Sequence, residues 1–384
     1  MAGIAHDVTL FIGARPNLPK ASTLVRAFGA APLRAAGAGL RIVHTGQHAA
    51  GRMGLSYADT LGVRVEEVLQ TPDADRDGER LSALVAVIDR YLARTGDPDL
   101  AVVVGDVNST LAAAVVAARN GIPVAHVEAG LRSHVRDEPE ELNRRMITAV
   151  TDFHLAPSQR AVDNLRRENV PGERIWLVGN AHTESFLLGA DQRRAAAAPA
   201  ELGLEPGHFV LLSVHKASTM QHLAWLEELV HKLAGQERIV WVLHPGCHKL
   251  LRLAAPHLLA VPGVHYLEPL PYHDFGRLLT SAACVVTDSA GMQEETTVSG
   301  VACVTVGAAT ARPETVSHGT NTSAGFDVGL ALAATDQAVR GPRRTAARVP
   351  DRWDTSVSTR ISKVLAAILT DAAADQPGAS LTHR

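Results

Sequence analysis

Short β-branched runs alternate through this chain with longer segments in which alanine, leucine and arginine recur at helical spacing. That pattern is the strongest constraint on the fold. A strand buried on both faces reads as a continuous apolar run, and parallel strands need helical crossovers between them. In the first half, strands are expected at 8–12, 40–44, 100–104, 123–127, 153–156 and 175–178, with helices such as 21–36, 79–95 and 111–120. The second half repeats the pattern, with strands at 209–214, 238–244, 264–267, 283–287 and 302–306 and helices such as 223–233 and 292–298. At 384 residues there is room for two domains of ordinary size. The expectation is therefore an α/β protein with two doubly wound domains, 1–180 and 181–354, facing each other across a cleft. An amphipathic closing helix follows at about 355–374.

Composition narrows the function classes. A net charge of −3 with no basic stripe argues against nucleic acid as a partner, and 4% aromatic residues give no base-stacking platform. Three cysteines, Cys247, Cys284 and Cys303, cannot pair completely and sit in or beside apolar runs. They point to a reducing setting, so a cytoplasmic location is expected. No stretch reaches the roughly 18 apolar residues of a membrane span, and the run at 8–12 is too short for a signal-peptide core. No membrane partner is expected. The sequence lacks G-x-x-x-x-G-K-[ST], G-x-G-x-x-G opening a helix, H-E-x-x-H, paired C-x-x-C and G-x-S-x-G. Those absences disfavour an ATPase, ordinary dinucleotide chemistry, a metal site and a serine hydrolase. No metal and no cofactor are expected.

In doubly wound sheets ligands bind beyond the carboxyl ends of the strands, so the residues just after each strand carry the information. Gly13-Ala14-Arg15-Pro16 follows the first strand, with Lys20 one turn on. A helix N-terminus beside Arg15 and Lys20 suits a phosphate; the plain alternative is a turn with solvated charges. Gly105-Asp106 follows the strand at 100–104, and Ser109 or Thr110 could cap the next helix. Asp106 is either a site carboxylate or itself the N-cap. Glu128 and Arg132 follow the next strand, and Glu140 lies in an acidic first helical turn of the kind the helix dipole favours. Asp106, Glu128 and Glu140 together form a candidate acid and base set. In the second half His215 ends the first strand, where a structural histidine is the commoner reading. Ser289-Ala290-Gly291 makes a small-residue strand-to-helix turn suited to an anion, with Glu295 placed for ribose hydroxyls. The segments 310–314 and 319–321 add polar groups after the following strand.

Taken in order, these segments resemble the non-hydrolysing UDP-N-acetylglucosamine 2-epimerase family. The resemblance runs from Gly13 to Gly319 and is most specific at 126–133 with 139–144, at 288–295 and at 312–314. It implies two Rossmann-like domains in the glycosyltransferase-B arrangement, the final helix crossing back to the first. It implies a metal-free epimerisation of a UDP sugar, by anti elimination of UDP to a 2-acetamidoglucal and re-addition. Carried over by position, Asp106, Glu128 and Glu140 match the three catalytic carboxylates. His215 matches the histidine that assists the departing diphosphate. Arg15 and Lys20 match phosphate-side residues, Ser289 and Gly291 the diphosphate turn, Glu295 the ribose carboxylate, Phe275 a residue beside uracil, and Arg312 a residue near the sugar and diphosphate. A homodimer is implied as well.

The departures from the family pattern are specific. His215-Lys216-Ala217-Ser218-Thr219 stands where the family has H-R-R-E-N, Asn17 where it has a glutamate, and Ala290 where it has a glycine. Thr45-Gly46-Gln47-His48 is kept, but Ala49 and Ala50 replace charged and amide residues. Several of these positions belong to a second substrate site through which bacterial members are activated, so that site is expected to be altered with the catalytic set intact. Three other readings stay open: the hydrolysing branch, which carries H-x-H-G-G-E where this chain has 126–132; a glycosyltransferase of the same architecture; and a non-catalytic nucleotide-sugar sensor.

Overall fold

A computed structural model describes residues 5–47, 57–74, 76–196, 199–307, 309–341 and 348–374. Positions 48–50, with the changed residues Ala49 and Ala50, lie outside them. The chain divides into two compact units, one made of residues up to Ser185 together with those from Asp351 onward, the other of Phe186–Pro350.

The first unit holds a seven-stranded sheet, all parallel, in the order β3-β2-β1-β4-β5-β6-β7. The strands are β1 (His6–Ile12), β2 (Ala38–His44), β3 (Glu67–Val68), β4 (Leu100–Val104), β5 (Val124–Val127), β6 (Phe153–Ala156) and β7 (Ile175–Leu177). The second unit holds six parallel strands in the order β10-β9-β8-β11-β12-β13. These are β8 (Val210–Ser213), β9 (Ile239–Val242), β10 (Val264–Leu267), β11 (Cys284–Thr287), β12 (Ala302–Val306) and β13 (Asn321–Gly325). In both sheets the order reverses between the first strand and the fourth, which is the Rossmann winding and places the ligand-binding crevice at that reversal. Central strands such as β4 and β11 are buried along their whole length, as continuous apolar runs require.

Two strands escape the periodicity. β3 pairs with β2 through only two residues, and β13 is Asn-Thr-Ser-Ala-Gly, whose small polar side chains carry no apolar run. The expected helix at 21–36 is two helices, Asn17–Gly29 and Ala31–Ala35. Ala30 between them is extended as the N-cap of the second helix, which carries Pro32 in its first turn.

The closing helix Val357–Ala374 belongs to the first unit. Val357, Ile361, Leu365, Ile368 and Leu369 recur at helical spacing and enter the same apolar cluster as Val8, Leu10 and Leu24. Its N-terminus is capped from a distant segment: Glu184, fully buried, accepts hydrogen bonds from the Ser358 main-chain N–H (3.0 Å) and hydroxyl (2.9 Å). The Arg360 side chain donates to the Val178 carbonyl at 2.6 Å and Trp353 to that of Pro157 at 3.1 Å. The orphan Ser358 N–H of the first helical turn thus finds its partner inside the unit, and the two side-chain bonds tie the same helix and the segment before it to the residues just after β7 and β6.

Candidate active site

Strand register assembles the first cluster. Phe11 of β1 lies beside Val103 of β4, and Val104 lies beside Val127 of β5. Gly13, Gly105 and Glu128 therefore leave the sheet side by side at its carboxyl edge. Glu128 adopts φ 75, a left-handed conformation that costs a non-glycine residue on the order of 1 kcal/mol or more and is found preferentially at functional sites. Its carboxylate forms a buried ion pair with the Lys20 ammonium. Gly105 (φ 77) makes room for that pair: a Cβ there would lie 3.3 Å from Asn17 Nδ2 and 3.4 Å from Lys20 Nζ. Behind Gly105, the buried His126 ring holds the glycine carbonyl through Nε2 at 2.8 Å. Burial pushes the His126 ring down to about 4, so it is neutral at physiological pH.

The first strand-to-helix turn is organised differently from the expected phosphate cradle. The Gly13 and Ala14 N–H groups donate to Asn17 Oδ1 at 3.2 and 2.9 Å, and Asn17 Nδ2 donates to the Val104 carbonyl at 3.1 Å. A glutamate at this position has no donor for that carbonyl; the amide serves both sides. Lys20 turns to Glu128, and the Arg15 guanidinium lies 4.4 Å from the centroid of the Tyr57 ring.

Asp106 faces Arg144. Nε and Nη2 of the guanidinium reach Asp106 Oδ2 at 2.8 and 2.7 Å, while Nη1 lies 3.3 Å from Glu141 and 3.6 Å from Glu138. The Asp106 main chain is fixed as well, its carbonyl accepting from Asn143 at 2.9 Å. Glu140 is half-buried on the first turn of the same helix, Pro139–Val150. Its neighbour Glu141 is fully buried. Burial pushes the Glu141 carboxyl up, but the hydrogen bond from the Ser133 N–H, the charge of Arg144 and the bonds from Arg145 and Arg144 outweigh burial and hold it below its usual value.

Two sequence expectations need correction here. The helix Asn108–Arg119 has Val107 as its N-cap, so neither Asp106, Ser109 nor Thr110 caps it; Thr110 instead donates to the Val104 carbonyl, and the Ser109 N–H donates to Gln47 at 2.8 Å. Arg132 does not join the strand-edge carboxylates. It is buried and bonded to Glu168 and Thr148, because its helix-side partners offer a two-oxygen acceptor.

In the second unit, β8 and β11 run in register through Ser213 and Thr287, so His215 and Asp288 emerge as neighbours. The His215 N–H donates to Asp288, and ring Nδ1 stands 3.5 Å from Asp288 Oδ1. Ser289 precedes the helix Ala290–Ser299 without a side-chain capping bond, and Ser289, Ala290 and Gly291 are half-buried at its N-terminus. Glu294 and Arg312 form a buried ion pair that anchors the segment at 310–314 to this helix. Glu295 is buried next to it, and its charge acts on Arg193, whose guanidinium stacks 3.8 Å from the Phe186 ring centroid. Phe275 is half-buried on the helix Tyr272–Ser281.

The structure thus brings Lys20, Glu128, Asp106 and Arg144 to one edge of the first unit, and His215, Asp288, Ser289, Gly291, Glu295 and Arg312 to the corresponding edge of the second. Arg144, Asn143, Gln47, His126, Asp288 and Arg193 join these clusters without having been singled out from sequence. The first five lie inside the motif segments 45–48, 126–133, 139–144 and 288–295 without an individual role assigned there; Arg193 lies in an alanine-rich stretch that carries no signal. Among the described residues no group of three or more histidine, cysteine or acidic side chains is placed to hold a metal, and no helix is long and apolar enough to cross a membrane.

Comparison with known proteins follows the same lines. A family profile described as UDP-N-acetylglucosamine 2-epimerase matches residues 32–366. The Methanocaldococcus jannaschii UDP-N-acetylglucosamine 2-epimerase is 30% identical over 324 residues, covering 82% of this chain and 87% of the relative. A Pseudomonas aeruginosa UDP-2,3-diacetamido-2,3-dideoxy-D-glucuronate 2-epimerase is also 30% identical over 324 residues, covering 83% of this chain and 88% of its own. The crystal structure of the M. jannaschii UDP-GlcNAc 2-epimerase in complex with UDP-GlcNAc and UDP matches with a TM-score of 0.84 at 27% identity, over 95% of this chain and 99% of that one. With the paired Rossmann sheets and their edge clusters in place, these matches across most of its length show that this chain belongs to the UDP-N-acetylglucosamine 2-epimerase family.

Proposed function

We propose that this protein interconverts UDP-N-acetylglucosamine and UDP-N-acetylmannosamine without hydrolysis. One carboxylate of the Asp106, Glu128 and Glu140 set removes the C2 proton as the C1–O bond breaks. The C–H electron pair becomes the C1=C2 double bond of a 2-acetamidoglucal, and the C1–O pair leaves with the diphosphate of UDP. A second carboxylate returns a proton to the opposite face of C2 while UDP re-adds at C1. The carrying observation is that Asp106 and Glu128 leave neighbouring strands, each against its own cation, Arg144 or Lys20. Two carboxylates so placed suit proton removal and return within one site. On the leaving-group side, His215, Arg312 and the helix N-terminus after Ser289 are assigned to the diphosphate, where charge develops. Glu295 is assigned to the ribose and Phe275 to the uracil. Arg15 is assigned to the phosphate side; Lys20, given its partner, acts on Glu128 first.

The same step at C2 serves the diacetamido-uronate substrate named for the Pseudomonas relative, so both sugars belong in the assay. The changed residues Asn17, Lys216–Thr219, Ala290 and the pair Ala49 and Ala50 lead us to infer that activation through a second substrate site is altered or lost. The protein is further proposed to act as a cytoplasmic homodimer without metal or cofactor. Incubation with UDP-N-acetylglucosamine and product analysis test the reading: UDP-N-acetylmannosamine is expected, whereas free N-acetylmannosamine with UDP assigns the hydrolysing reaction. No turnover of either UDP sugar leaves a transferase or sensor.

A further inference from the structure

Asp288 stands between β11 and the helix Ala290–Ser299 with its side chain 2% exposed. A buried carboxylate is costly unless its oxygens are satisfied. Two main-chain donors from the end of β8 do part of that: the His215 N–H lies 3.1 Å from both oxygens and the Lys216 N–H 2.9 Å from Oδ2. Thr287 tightens the same junction, donating to the Ser213 carbonyl at 2.7 Å and accepting from the Ser289 N–H at 3.0 Å. The third group at the carboxylate is the His215 ring, with Nδ1 3.5 Å from Oδ1. Around His215 also stand the Cys247 thiol, which donates to the His215 carbonyl at 3.7 Å, and Lys216 as its chain neighbour.

An ionised carboxylate only accepts hydrogen bonds, so the ring nitrogen turned toward it must carry a proton. We propose that Asp288 is a positioning residue for His215: its buried carboxylate fixes the imidazole with the proton on Nδ1, leaving Nε2 to exchange a proton at the departing diphosphate. The inference rests on the epimerase reading above. The 3.5 Å separation is longer than an ordinary N–H···O bond, and a small rotation of the ring closes it; catalytic hydrogen bonds commonly tighten only with substrate bound. When Nε2 takes a proton, the new positive charge lies beside a carboxylate whose main-chain donors already hold it still. The two N–H bonds serve a second purpose, since they prevent the carboxylate from turning away from the ring.

Asp288→Asn separates this role from a merely structural one. The amide oxygen keeps main-chain donors, while the amide NH2 facing the ring donates to Nδ1 and drives the ring proton to Nε2. The expected result is a kcat lower by about a hundredfold or more, within the range of a general acid or base, with KM and the Kd for UDP changed by less than about threefold. Nitrogen NMR of the ring, assigned with a His215→Gln spectrum, should show the neutral wild-type imidazole protonated at Nδ1 and the variant at Nε2. A kcat within about threefold of wild type, or a loss matched by equally weakened UDP binding, overturns the assignment. Should the variant fail to fold, the wild-type spectrum decides alone: a neutral His215 protonated at Nε2 contradicts it. Wild-type protein that turns over no UDP sugar removes the epimerase reading instead, which distinguishes the two failures.

Discussion

Lys20 and Glu128, 108 positions apart in the sequence, meet as a buried ion pair at the carboxyl edge of the first sheet, and the carboxylate partner holds a left-handed backbone conformation. The two facts belong together. A strained backbone persists only where its surroundings over-determine it, and the cation, together with Gly105 and Asn17, supplies that determination. Lys20→Met takes away the ammonium that faces the buried Glu128 carboxylate. A loss of about 3–5 kcal/mol of stability is expected, read as a fall in the urea midpoint, together with at least a hundredfold loss of kcat. Glu128→Gln should remove turnover and leave UDP binding nearly unchanged. A Lys20→Met protein of wild-type stability contradicts the pair's role.

Arg144 touches Asp106, Glu138 and Glu141 at once. Arg144→Met should therefore cost more than a single broken surface pair, because Glu141 is fully buried and loses one of the two arginines, Arg144 and Arg145, that face it. A drop of several degrees in Tm and a kcat lower by about two orders of magnitude are expected. Arg144→Lys should fall between, since an ammonium does not reproduce the two-point contact with Asp106. Thermal melts and initial rates on the three proteins check the ranking.

His126 gives a pH prediction whose sign follows from its burial. The unfolded ring takes up a proton near 6.5 and the folded ring only near 4, so the unfolded state binds more protons between these values. Stability contributed by the neutral ring is present above about pH 6.5 and is lost as pH falls toward 4, by up to about 3 kcal/mol at ~1.4 kcal/mol per pH unit. Urea unfolding of wild type and His126→Gln at pH 7, 5.5 and 4.5 should show a steeper acid loss for wild type. Equal slopes contradict the assignment.

Gly130, two residues after Glu128, has φ 86, and a Cβ there would meet the Ala161 carbonyl oxygen at 2.3 Å. Both the conformation and the contact with main chain forbid a side chain. Gly130→Ala should destabilise the protein by roughly 2 kcal/mol or more and displace Glu128, lowering kcat beyond what the stability loss explains. A wild-type Tm for this variant refutes the steric account.

Much of this was legible in the sequence. Continuous apolar runs marked eleven of the thirteen strands among the described residues, and the residues after β4, β5, β8 and β11 fall in the two strand-edge clusters, because a parallel sheet delivers its strand ends to one edge. The unread part has physical causes. β13 is made of small polar residues and β3 of one residue pair, so neither has a period to detect. Pairing depends on distance in space: the sequence offered Lys20 as a phosphate ligand, and the fold places Glu128 against it. Asn17 was visible only as a substitution, and its bridge from Gly13 and Ala14 to Val104 needed the register of β1 and β4.

Altered regulation is open to a kinetic test. If the residues that replace the family pattern at Asn17 and 216–219 have removed the second substrate site, rate against UDP-N-acetylglucosamine follows a hyperbola, and added UDP-N-acetylglucosamine does not accelerate the reverse reaction. Sigmoidal activation refutes the inference.

The most direct measurement of the central claim is the fate of the C2 proton. The protein is incubated with UDP-N-acetylglucosamine in D2O, and the products are followed by proton NMR. The account predicts UDP-N-acetylmannosamine with deuterium at C2, and no product above background from Asp106→Asn or Glu128→Gln protein. Epimer formed with the C2 proton retained, or full activity in either variant, contradicts it.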